Sequence, residues 1–128
     1  MDWYIDKSPL PKYLRLVITG KPSVEEYLEL WRNVLAIDDW KQGTPILQDV
    51  TGREPLGSEA HRIQTAIDDL LTEHRDRIGS SNIAVFTNPD VYNYGRILEY
   101  ALRLRGSQML IRTFENEDEA VEWLNYVS

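Results

Sequence analysis

Apolar and polar positions alternate in two rhythms along this chain, and the switches between them mark its elements. From Tyr13 to Thr19 the period is two, with Leu14, Leu16 and Ile18 on one side and Tyr13, Arg15 and Val17 on the other, the pattern of a strand. Trp3 to Asp6 is a shorter run of the same kind. Ser8, Pro9 and Pro11 lie between them, and proline fixes φ and gives up a ladder donor. A short turn there makes the two strands an antiparallel hairpin at a sheet edge. After Gly20-Lys21-Pro22 the rhythm changes. Val24, Tyr27, Leu28, Trp31, Val34 and Leu35 recur at helical spacing, and Ser23 with Glu26 has the spacing of a capping box. This helix ends near Trp40, ahead of Gly43 and Pro45.

The rest of the chain repeats strand, then helix. Ile46 to Val50 predicts a third strand, followed by a polar loop from Gly52 to Gly57. A second helix is expected over about Ser58 to Ile78, with Ala60, Ile63, Ile67, Leu70, Leu71, His74 and Ile78 inward, and Gly79 as its left-handed stop. Ile83 to Thr87 predicts the fourth strand. Asn88-Pro89-Asp90 then opens a helix whose buried face is Val91, Tyr94, Leu98, Ala101 and Leu102, ending at Gly106. Met109 to Phe114 predicts the fifth strand, and Asn116 caps a last helix carrying Ala120, Trp123, Leu124 and Val127. The order is β-β-α-β-α-β-α-β-α, an α/β class in one domain over residues 1–128. Strands separated by helices run parallel with right-handed crossovers. Arg15, Gln48 and Arg112 interrupt apolar strands, which predicts one sheet face partly covered and helices mostly on the other. Leu28, Trp31, Ile67, Leu71, Leu98 and Trp123 are expected in the core. Trp40 joins no stripe; it is expected either partly exposed near an edge or interface, or packed under the Gly43-Thr44-Pro45 loop.

Composition removes several chemistries. The chain has 128 residues, 42% of them apolar, the profile of one globular domain. It has no cysteine, hence no disulfide and no thiolate nucleophile or metal ligand. A net charge of −7 opposes nucleic acid or an anionic membrane surface as the main partner. No apolar run is long enough to insert into a membrane, and the first residues lack the order of a signal peptide, so the expected location is cytoplasmic. Neither glycine-rich phosphate motif occurs. His61 and His74 lie 13 positions apart on one helix, about 140° round its axis, so they share no metal. Asp38-Asp39 and Asp68-Asp69 read as solvated surface, and the acids from Glu115 to Glu122 as a favourable helix start. No catalytic residue, cofactor or metal is expected; an enzyme with Asp49 or Glu59 as base is the weakest reading.

Ligands of open α/β sheets gather at the carboxyl ends of parallel strands, where helix N-termini present free N–H groups. Here those ends supply Asp49, Thr51, Arg53, Ser58, Glu59, Arg62, Asn88 and Asn116, the candidate binding residues. Ser58 is expected to cap its helix. Arg53, with the strand-end amides, is where an anionic ligand would bind.

Taken together, the element order resembles the SpoIIAA-like branch of the STAS domains (sulfate transporter and anti-sigma-factor antagonist). So do Tyr13-Leu14-Arg15-Leu16-Val17-Ile18-Thr19-Gly20, Leu47-Gln48-Asp49-Val50, Tyr94-Gly95-Arg96, and Phe114 followed by Glu119-Ala120-Val121-Glu122-Trp123-Leu124. The resemblance implies a (βα) superhelix with sequential strands and the hairpin at an edge. It also implies a non-enzymatic regulatory or interaction module whose partner is another protein or a second copy. The alternative it leaves is a binding domain for a small lipid-like or anionic molecule. Antagonist members carry a phosphorylatable serine nine residues after a polar residue ending the third strand, and nine from Asp49 is Ser58. The surrounding motif differs: Gly57 stands where those members have aspartate, and Glu59-Ala60 follow. Ser58 is therefore expected to be unphosphorylated.

Overall fold

Leu14, Leu16 and Ile18, the apolar side of the Tyr13–Thr19 run, are fully buried, and the flanking Arg15 and Val17 are half-buried. The period-two reading holds to the residue. The structure, a computed structural model, describes residues 2–54, 60–74, 76, 81–88 and 110–127. Within them lie β1 (Asp2–Asp6), β2 (Leu14–Gly20), α1 (Val24–Leu35), β3 (Ile46–Arg53), α2 (Ala60–Glu73), β4 (Ile83–Phe86), β5 (Ile111–Phe114) and α3 (Glu117–Val127). The helix expected after Asn88, with Tyr94 and Leu98, lies outside the described residues, as does the Ile67 side chain.

One sheet runs in the order β1-β2-β3-β4-β5, with β1 antiparallel to β2 and every later pair parallel. The expected mixed sheet, sequential with an edge hairpin, is the one observed. Adjacent parallel strands need a crossover, and α1 lies between β2 and β3 as α2 does between β3 and β4. The main core lies on the face where Ile46, Val50, Ile83, Val85 and Ile111 join the β2 residues, under Tyr27, Leu30, Trp31 and Val34 of α1 and Ile63, Leu70 and Leu71 of α2. On the opposite face α3 lays Ala120 and Leu124 on Leu47 and Ala84.

Among the described residues the covering is unequal, with α1 and α2 on one face and α3 alone on the other, in line with helices mostly on one side. Alternation along β3 and β4 puts Leu47 and Ala84 opposite Ile46 and Ile83, so the middle strands have two apolar faces to bury. Of the three interrupting residues, Arg15 and Arg112 share the α3 face. Gln48 is on the other, buried among the main core strands in register with Leu16 and Val85.

Further expectations change: α1 stops at Leu35 and not near Trp40, and Asp68 is buried on α2 and not on the solvated surface. Trp40 is fully buried in the main core, and its Nε1 donates to the Thr44 carbonyl at 3.0 Å, so the loop contact holds and the exposed position does not. Trp123 is half-buried, because Ala120 and Leu124 take the central contacts of α3 and leave its ring tilted against Phe114, centroids 5.7 Å apart. Leu28 is half-buried for a similar reason, flanking the stripe that Tyr27 and Trp31 fill. Finally, β3 runs on through Gly52 and Arg53, which pair with Thr19 and Gly20 after a register shift between Val17 and Thr19.

Candidate functional site

The carboxyl ends of β2, β3 and β4 do come together, and Asp49 is the hub. It is 8% exposed, and both its oxygens are engaged. Oδ2 accepts from Arg15 Nη2 at 3.0 Å, across the sheet from β2. Oδ1 accepts from the Thr51 amide at 3.0 Å and from its hydroxyl at 2.7 Å, a local turn of the kind short acidic side chains make. Asn88 Nδ2 then donates to the Thr51 carbonyl at 2.8 Å, which ties the end of β4 to the end of β3. Three of the candidate residues, Asp49, Thr51 and Asn88, thus form one connected chain.

Arg15 extends it. The same Nη2 lies 3.6 Å from Glu117 Oε1 at the start of α3. Burial works against the Arg15 charge, but the Tyr4 hydroxyl and the Asp49 and Glu117 carboxylates outweigh it and raise its pKa above the ordinary arginine value. Sequence reasoning marked Arg15 only as an interruption. The signal was present: a cation at an alternating position of an apolar strand needs a carboxylate on the neighbouring strand, and Asp49 sits on that strand.

The other candidates separate. Arg53 turns to α1, where its Nη1 donates to the Tyr27 hydroxyl. The helical spacing places Tyr27 in the apolar stripe and says nothing of its hydroxyl. Burial pushes its pKa up, with Arg53 offsetting part of the shift. Asn116 caps α3: its Oδ1 accepts from the Glu119 amide at 3.0 Å. Arg62 is exposed on α2. Ser58 and Glu59 lie outside the described residues. Among the described residues there is no cluster of three or more potential metal ligands, and no helix is long and apolar enough to cross a membrane.

This architecture has a counterpart among solved structures. An uncharacterised protein of the DUF3478 family with a SpoIIAA-like fold, from Shewanella loihica PV-4, is similar to this chain at TM-score 0.58. The likeness covers 96% of this chain and 92% of that one at 21% identity. This chain has a SpoIIAA-like α/β fold. Neither a family model nor a curated protein matches it.

Proposed function

We propose that the chain is a STAS-like regulatory or protein-interaction module, acting without catalysis and without the serine switch, with another protein or a second copy as its partner. One observation carries this reading: Asp49, Thr51 and Asn88 at the strand ends are spent on one another and on Arg15. Asp49, which would be the base of an enzyme, already accepts an arginine, an amide and a hydroxyl. A general base needs an oxygen open to its substrate. The departures around Ser58 from the antagonist motif support the missing switch.

Native mass spectrometry of the chain, purified gently from its own cells, tests the proposal. The expected result is a complex of defined stoichiometry with one protein species or with itself, and no phosphate mass on Ser58. A monomer free of protein, or stoichiometric phosphate at Ser58, would overturn it. The second reading, a domain binding a small apolar or anionic molecule, draws support from Arg53, which has no carboxylate partner among the described residues. A retained small molecule in the same spectrum would favour that reading.

A further inference from the structure

Two arginines among the described residues are half-buried, and they are treated differently. Arg15 faces Asp49 and Glu117. Arg53 has no carboxylate partner among the described residues. Its Nη1 donates to the Tyr27 hydroxyl, and its Cζ stands 6.0 Å from the centroid of that ring. Its Nε is shut off from water and meets no acceptor. A cation withdrawn from water without a counter-charge is unfavourable, and an unmet buried N–H adds to the cost.

The unmet valence has a definite shape. With Nη1 held by Tyr27, the free edge is Nε with Nη2, two parallel N–H groups spaced to grip two oxygens of one planar or tetrahedral anion. Trp31 Nε1, one helical turn beyond Tyr27 on the same face of α1, is also buried without an acceptor. Arg53 Nε and Trp31 Nε1 are each donors that lack an acceptor. Arg53 ends β3 and pairs with Gly20 at the end of β2, the part of an open α/β sheet that receives ligands. A chain of net charge −7 draws no anion through its overall field, so affinity must come from this local contact.

We propose that Arg53 anchors a site for a small oxyanion, a carboxylate or phosphate group gripped by Nε and Nη2 while Tyr27 fixes the guanidinium plane, an inference that rests on the ligand-binding reading of the strand ends. Nitrogen-15 NMR of the whole chain tests it, following the Arg53 Nε–H signal and the amides of Gly20 and Glu54. Sodium phosphate, sodium acetate and sodium chloride are titrated separately at matched ionic strength. Phosphate or acetate should displace these signals saturably and chloride should not. Whichever saturates at the lower concentration identifies the source as a phosphate or a carboxylate ligand. Arg53→Lys keeps the charge but loses the two-pronged grip, and should weaken binding about tenfold or more, read at the amides. A drift no different from that of chloride would overturn the site, and this comparison stands even where the variant fails to fold. Equal saturation in Arg53→Lys would also overturn it. A small molecule that co-purifies equally with wild type and Arg53→Lys would remove Arg53 while leaving the ligand-binding reading intact.

Discussion

Gly52 shows how much one absent methyl group can decide. It lies in β3 opposite Thr19, and a Cβ there would stand 2.9 Å from Thr19 Cγ2. The close approach brings the ends of β2 and β3 together just where the register shifts, one residue before Arg53. Gly52→Ala should destabilise by about 1 kcal/mol, because the position is exposed but the stiff β-branched Thr19 side chain must shift to admit the new methyl. Thr19→Ser removes Cγ2, and adding it to Gly52→Ala should restore much of the loss. Urea midpoints of the two single variants and the double variant check this, and strictly additive effects would disprove the contact as the cause.

At the scale of the element, α1 begins where its sequence says it should. Ser23 Oγ accepts from the Glu26 amide at 3.2 Å, and Glu26 Oε1 accepts from the Ser23 amide at 3.1 Å. Ser23→Ala should cost about 0.5–2 kcal/mol. The same box gives the fold an acid-sensitive element. The Ser23 backbone N–H holds the Glu26 carboxyl below its ordinary pKa, so the folded state prefers the ionised form. This contribution is fully present above the unfolded value of about 4.3 and is lost as pH falls through the lower folded value. Asp6 has its pKa lowered in the same sense by the Ser8 hydroxyl and then by the Ser8 amide, which donates to its Oδ1 at 2.9 Å. Glu26→Gln should therefore flatten the fall in stability between about pH 5 and pH 3, read from denaturation midpoints at each pH. An unchanged slope would show that the box is not a source of that dependence.

Across the whole molecule, the two sheet faces are unequal. The α1–α2 face holds the larger core, in which Trp31 is 1% exposed; the α3 face holds a smaller one, with Trp123 at its margin. Trp31→Ala should cost about 3–5 kcal/mol, as expected for a buried tryptophan. Trp123→Ala should cost clearly less, because part of its ring already meets water and less area is lost from burial. Chemical denaturation of both variants compares them directly, and equal shifts would contradict this ranking.

How much of this was legible in the chain varies with the range of the interaction. Strand alternation at Leu14 to Ile18, the Ser23–Glu26 cap and the Asn116 cap are set by residues within one turn or one pleat, and these were readable from sequence. Element order then constrained the sheet, because short antiparallel and long parallel connections leave few arrangements. What the linear pattern missed depended on neighbours distant in sequence. Arg15 became part of a polar chain only because β2 lies beside β3, which carries Asp49. Trp40, without a stripe of its own, became core once the chain folded back to put the Thr44 carbonyl over its indole nitrogen. Arg53, grouped with Asp49, Thr51 and Asn88 by its place at a strand end, was turned toward α1 by the buried Tyr27 hydroxyl. The sequence determined the elements and their order, since backbone geometry and local hydrogen bonds act over a few residues. The tertiary structure alone decided which polar groups meet, because a buried charge or hydroxyl takes whatever partner packing brings within about 3 Å.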